Sequence, residues 1–345
     1  MSGRSIVTEV APSATDTRRA AGSTVFADYW ALTKPEVNFL ILITTFIGFR
    51  LGCATEGRLF SFAGLFNALL GTLFVASGAG TLNQYIEREF DARMRRSSRR
   101  PAAAGRLKPH VVLAFGIVLA TVGSIYLAAA VNVLASALAV ITLLIYLFLY
   151  TPLKRRTPLC ILVGAFPGAM PPLIGWAAAS ERFNTAAWTL YALLFLWQFP
   201  HFMAIAWMYR EDYDRAGYMV LPRGRTRVCS VMVETLLPSI ALVAFSIAKF
   251  PTRPAAIYCA AVLPGVGFLY LGVEFVLRRS RKAARRLLAA SIVYLPLLFG
   301  LTGAFGNASE LYPSQRRTNA CNNCQLALIT YRWCTVTREL TAPNR

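Results

Sequence analysis

Acids and histidines are scarce in this chain. It has 345 residues, of which 16 are Asp or Glu and two are His, against 36 Lys and Arg. Few of the acids fall within the long apolar segments (Glu274 is one), and most cluster near segment ends. That argues against a transporter, which sets acids near the bilayer midplane on broken helices. The seven Cys do not supply a zinc site: Cys321, Cys324 and Cys334 are a lone CNNC plus one, short of four ligands. Cys53, Cys160, Cys229 and Cys259 lie in or at the ends of apolar segments and read as small apolar filler. The first 30 residues hold Glu9, Asp16 and Asp28 and no apolar run, so they read as neither signal peptide nor acid-poor transit peptide.

What the chain does have is length without charge. It is 56% hydrophobic, more apolar than soluble domains. Apolar runs near twenty residues recur at 37–54, 62–82, 110–130, 133–150, 159–179, 187–208, 228–248, 255–277 and 287–304, the length a helix needs to cross a bilayer core. The fold class predicted is all-α, a polytopic membrane bundle with nine transmembrane helices. The predicted organisation is a polar N-terminal arm over 1–29, a membrane domain over 30–305 and an irregular tail over 306–345.

The net charge of +20 is a topology signal and not a nucleic-acid one. With the N-terminus inside, the loops at 83–109, 152–158, 209–227 and 278–286 are cytoplasmic and hold 22 Lys and Arg; the alternate loops hold five, counting Arg50. Positive charge gathers on the cytoplasmic side, which predicts N-in and C-out. Two of the inside loops, 83–109 and 209–227, mix acids with arginines and follow the second and sixth helices. Their separation by four helices predicts two four-helix halves plus a ninth helix.

The chemistry concentrates in residues 82–101, LNQYIEREFDARMRRSSRRP. If the second helix runs on past the membrane surface, Asn83, Glu87 and Asp91 recur every four residues and stack on one face. One amide and two carboxylates form an oxygen-ligand set for Mg²⁺, which takes one or two carboxylates and fills its other positions with water and substrate phosphate. Arg93, Arg95, Arg96, Arg99 and Arg100 follow, and guanidinium forks match phosphate oxygens. The same spacing is also met by a helix end laced with ion pairs and anchored by arginines.

The order Asn83, Glu87, Asp91, Met94, Arg96, Ser97, Arg100, Pro101 and then Gly105-Arg106-Leu107 resembles the first motif of the UbiA-type intramembrane prenyltransferases, and their haem-modifying branch in particular. That pattern usually has Asp at Glu87 and Thr at Ser97. Three other stretches agree: LTKPEVNFL at 32–40, with Glu36 where Arg is usual; YTPLKRRTPLCILVGAFPGAMPPLIGW at 150–176, one residue short after Thr151 and with Cys160 where Asn is common; and WQFPHFMAIAWMYREDYDRAGYMVLP at 197–222. The resemblance covers about residues 30–305.

It implies transfer of a farnesyl group from farnesyl diphosphate to a vinyl group of haem B, giving haem O, with Mg²⁺ as cofactor. The implied metal set is Asn83, Glu87, Asp91 and Asp212, the last matching the family's second acidic motif. Arg96, Arg100 and Lys154 would stabilise the departing diphosphate, with Arg155 and Tyr150 beside them. His201, inside an apolar helix, is the residue for haem handling, by iron ligation or by a propionate; a buried His bonded to a carbonyl freed by Pro200 is the alternative. His110 sits at a loop end and is assigned nothing. The implied partners are the lipid bilayer and haem A synthase or terminal-oxidase assembly factors, and the implied site is a bacterial inner membrane or else a mitochondrial one. Two rival readings stand beside this one: the same fold with an aromatic acceptor of quinone synthesis, and a membrane protein without chemistry.

Overall fold

The structure is a computed structural model that describes residues 24–222, 224–249 and 255–305. The tail over 306–345, with its three cysteines, and most of the N-terminal arm lie outside the described residues. Among the described residues all regular structure is helical. A short helix α1 (Val25–Leu32) precedes α2 (Pro35–Thr55), α3 (Phe62–Asp91), α4 (Pro109–Ala130), α5 (Val133–Leu153), α6 (Cys160–Ser180) and α7 (Thr185–Met208). Then come the short α8 (Arg210–Ala216) and the long α9 (Arg225–Lys249), α10 (Ala255–Arg278) and α11 (Arg281–Phe305).

All but α1 and α8 are long and apolar enough to span a bilayer, nine in the described residues. Large apolar side chains stay exposed along them, including Phe39, Phe66, Ile125, Leu237, Tyr270 and Ile292. Exposed apolar surface on this scale requires an apolar surrounding, and the chain is a multi-pass membrane protein. Residues 25–29, expected in a polar arm, belong instead to α1. Asp28 there is buried and paired with Arg106 at 2.8 Å, and Tyr29 sets its ring edge-on to Phe115.

By packing, α2 to α6 form one group, in which α2 lies along the second half of α6; α7, α9, α10 and α11 form the other. Lipid tails are as apolar as the helices, so close backbone approach rather than hydrophobic exclusion draws the spans together. Gly175 shows how close: a Cβ there would collide with the Thr45 carbonyl on α2.

Two local features shape the site. α6 breaks between Gly168 and Pro171 into Cys160–Gly168 and Pro171–Ser180, where Pro171 lacks the N–H that would continue the ladder. In α5 the turn Ile145–Tyr150 is π-helical, and the Thr151 hydroxyl donates to the Tyr146 carbonyl at 2.8 Å. The extra residue in that turn re-aims the tyrosines, and Tyr146 stacks on Tyr150 with centroids 5.5 Å apart.

Candidate active site

α3 runs unbroken from Phe62 to Asp91, so the spacing read from sequence becomes geometry. Asn83, Glu87 and Asp91 occupy one face and are 1%, 3% and 3% exposed. Buried carboxylates need partners; Glu87 finds one in a distant part of the chain and Asp91 one in the loop that follows it. Lys154, just past α5, puts its ammonium 3.0 and 3.2 Å from the two Glu87 oxygens. Arg100 reaches back from the loop to Asp91 at 2.6 Å, and the Ser97 hydroxyl donates to the Asp91 carbonyl. Lys34 donates to the Asn83 amide oxygen at 2.7 Å, while the Asn83 amide nitrogen donates to Thr151.

These contacts set the charge states of the cations. Burial lowers Lys154, but the Glu87 carboxylate beside it wins and holds it well above the ordinary lysine value. Burial also opposes the charge on Arg100, and Asp91 more than restores it. Lys34 has no such carboxylate in contact. Burial, with the Arg100 guanidinium adding to it, brings Lys34 down to about 7. Lys34 also holds a left-handed backbone (φ 53°) directly before Pro35, a conformation unfavourable for a residue with a Cβ.

Tyr150 lies under the Lys154 ammonium, 4.5 Å from ring centroid to nitrogen. The Arg155 guanidinium covers the Phe90 ring at 3.8 Å and donates to the Ile86 carbonyl. Arg96 stacks on Tyr209 at 4.5 Å, away from the two carboxylates. Asp212 on α8 pairs with Arg215 at 3.1 Å, Asp214 with Arg227, and Glu211 with Arg210. Among the described residues no three His, Cys, Asp or Glu side chains converge. The geometry thus brings Asn83, Glu87, Asp91, Lys154, Arg100 and Tyr150 together and leaves Asp212 in a pairing of its own.

Two residues at this end went unassigned in the sequence. Lys34 was visible only as part of LTKPEVNFL, and nothing local says that its side chain crosses to Asn83. Tyr218 packs on Phe90 with its hydroxyl buried and unpartnered, and burial pushes that phenol up.

Lys34, Tyr150 and Lys154 form one end of a cavity of about 910 Å³ that runs through the bundle. His201 lines it farther in. Its Nδ1 is 2.8 Å from the Ser291 hydroxyl and not on a carbonyl freed by Pro200. That hydroxyl gives its own proton to the Leu288 carbonyl at 2.6 Å. Ser291 therefore accepts from Nδ1–H, and the lone pair stays on Nε2. The ring stacks on Trp197 at 4.5 Å, whose indole N–H is fixed by the Ser291 carbonyl.

The oxygen donors on α3 suit Mg²⁺, a hard cation that accepts an amide and carboxylates. A buried face of one amide and two carboxylates, closed by three cations of which Lys34 and Lys154 line the end of a large apolar cavity, is the arrangement expected of an intramembrane enzyme for an anionic headgroup with an apolar tail. Residues 41–299 match the model of the UbiA prenyltransferase family, and the chain belongs to that family. It is 43% identical to the protoheme IX farnesyltransferase of Solibacter usitatus (strain Ellin6076), over 79% of this chain and 97% of that protein. With the protoheme IX farnesyltransferase of Koribacter versatilis (strain Ellin345) it shares 38% identity over 82% of this chain and 94% of the relative. A solved UbiA homologue from Archaeoglobus fulgidus, bound to DMAPP and Mg²⁺, superposes with a TM-score of 0.58 at 15% identity, over 79% of this chain and 98% of that one.

Proposed function

We propose that the protein transfers a farnesyl group from farnesyl diphosphate to a vinyl group of haem B, making haem O for terminal oxidase assembly. The observation that carries this reading is the cluster at the cavity end: carboxylates and cations held together in a buried place, beside a space for long apolar groups. The relatives named protoheme IX farnesyltransferase support the acceptor, and they favour it over the aromatic acceptors of quinone synthesis.

In this reading Asn83, Glu87 and Asp91, with Asp212 from α8, would hold Mg²⁺. Bound there, it would supply Lewis-acid neutralisation of the diphosphate. Lys154, Arg100 and Lys34 meet the negative charge that grows on the leaving oxygens, with Arg96 and Arg155 at the rim; preset cations of this kind lower the barrier without reorganising. The C1–O bond of the farnesyl group breaks and the electron pair leaves with the diphosphate. The vinyl π electrons form the new C–C bond. Water then adds to the cationic carbon next to the porphyrin and loses a proton, leaving the hydroxyl of the product. The bundle keeps bulk water from the allylic cation before that step. His201 handles the haem, through Nε2 on the iron or through a propionate, and Tyr150 orients Lys154. The N-terminus lies in the cytoplasm, placing the cluster where soluble farnesyl diphosphate arrives. The home of the protein is the bacterial inner membrane, and the arm before α1, the membrane domain from α1 to residue 305 and the tail are its three parts.

The test is haem analysis of membranes containing the wild type or Asp91→Ala, supplied with farnesyl diphosphate and Mg²⁺. Haem O from the wild type, and its loss by about 100-fold or more in the variant, is the expected result. Equal haem O from both removes Asp91 from the site. No haem O from folded wild type turns the reading toward the aromatic acceptors.

A further inference from the structure

The cavity carries cations at both ends and no acid among the residues that line it. Lys34 and Lys154 stand at one end. Arg50 stands at the other, on the same helix as Lys34's neighbour Pro35. At 1.5 Å per residue, α2 separates Lys34 from Arg50 by about 24 Å. Arg50 is exposed to the cavity mouth and makes no hydrogen bond or ion pair among the described residues. The basic residues at the Lys34 end differ, since Lys154 and Arg100 are already matched by Glu87 and Asp91. A guanidinium beside an apolar cavity, without a counter-charge, favours an anionic ligand.

We infer that Arg50 is a carboxylate-binding subsite for the acceptor, holding the propionates of haem B at the end of the cavity remote from the diphosphate. This rests on the haem reading given above. The distances agree with it. His201 lies seven residues before the end of α7, about 10 Å from the charged cluster along the helix axis. That leaves His201 between the cluster and Arg50. A porphyrin carries propionates on one edge and a reactive vinyl group on the other. With its iron near His201 Nε2 and its propionates toward Arg50, the vinyl edge points at the diphosphate. Arg50 then selects the productive orientation: the reversed porphyrin would place its carboxylates against the diphosphate, where like charges repel. Arg50 is a positioning residue and touches no reacting atom.

The test uses the full chain in nanodiscs of neutral lipid. Ferric haem B and haem B dimethyl ester, in which the propionates are capped, are titrated spectroscopically. The wild type is expected to bind haem B about tenfold more tightly than the ester, the range of one charge-assisted hydrogen bond. Arg50→Gln should lose that preference with ester affinity unchanged, and Arg50→Lys should keep part of it. The KM for farnesyl diphosphate should be unaffected by either variant. Equal binding of the two ligands by wild type, or a preference that survives in Arg50→Gln, overturns the subsite. So does an equal loss of both ligands in Arg50→Gln, which marks a packing role. Haem O assays on the same preparations separate the two claims. Haem O made without any ligand preference overturns the subsite alone, whereas a preference without haem O supports the subsite and overturns the farnesyl-transfer reading.

Discussion

Replacing Lys154 by Met tests whether the Glu87 pair is structural, catalytic or both. Met keeps an unbranched apolar stem and removes the ammonium. Glu87, 3% exposed, would lose a cation 3.0 Å away and be left charged inside the bundle. Removing one partner of a buried pair costs about 3–5 kcal/mol. The lower end applies here, because Lys34 remains on Asn83, one helical turn from Glu87. A loss of about 3 kcal/mol lowers Tm by about 4 °C in a chain of this size. The double variant Lys154→Met with Glu87→Gln removes the stranded charge, so most of the lost Tm returns. Activity behaves differently: the single variant lacks the cation that meets the leaving diphosphate and falls by about 100-fold, and the double variant, which also loses a proposed metal ligand, falls at least as far. Thermal unfolding in detergent and haem O formation on the same samples read the two effects separately. A single variant with wild-type Tm refutes the buried-charge argument. A double variant that recovers activity along with Tm refutes the catalytic assignment of Lys154.

Two other outcomes follow from the packing at the start and the middle of α2. Burial brings Lys34 to about 7, so between that value and 10.5 the folded chain binds fewer protons than the unfolded one. Stability of the metal-free protein therefore rises with pH across this window, by up to about 1.4 kcal/mol per pH unit, and Lys34→Met flattens the rise; denaturant midpoints at about pH 7 and 9 check it, and a wild-type midpoint no steeper than the variant's counts against it. Gly175→Ala drives a methyl group into the Thr45 carbonyl on α2, costing roughly 1–3 kcal/mol or more; a Tm equal to wild type would mean that α2 and α6 lie farther apart.

The spans were legible because apolar length is a local property. Each predicted run falls on a helix, most with ends within a few residues, although α3 continues nine residues past its run and α11 begins six before its own; Pro35 and Pro109 open α2 and α4 where proline is tolerated. The one clear difference came at α1, where Asp28 reads as a polar residue of an arm until Arg106, 78 positions away, is seen to neutralise it. The first motif was legible for a similar reason. Asn83, Glu87 and Asp91 sit on one helix, so their common face follows from helical period alone, once α3 is known to continue to Asp91.

Partners that come from other helices were not legible. Sequence gave Lys154 and Tyr150 a place near the cytoplasmic surface, but the contacts to Glu87 span 67 residues. Lys34 was assigned nothing, and its left-handed turn directs it to Asn83 across 49 residues. His201 stood out as an ionisable group at membrane depth, yet its tautomer depends on Ser291, 90 positions later. Asp212 is set with the metal ligands by the motif alone; the partner observed for it is Arg215 on its own short helix.

The sequence by itself determined that this is a multi-pass membrane protein with a charged motif at one helix end, because hydropathy, helical period and charge bias are summed along the chain and need no neighbours. Only the tertiary structure decided which cation neutralises which carboxylate, which imidazole nitrogen faces the cavity, and that Arg50 and Lys34 stand at opposite ends of one space. Those facts depend on how helices distant in sequence approach one another, and the approach is set by close backbone packing such as that of Gly175 on Thr45, which no single helix encodes alone.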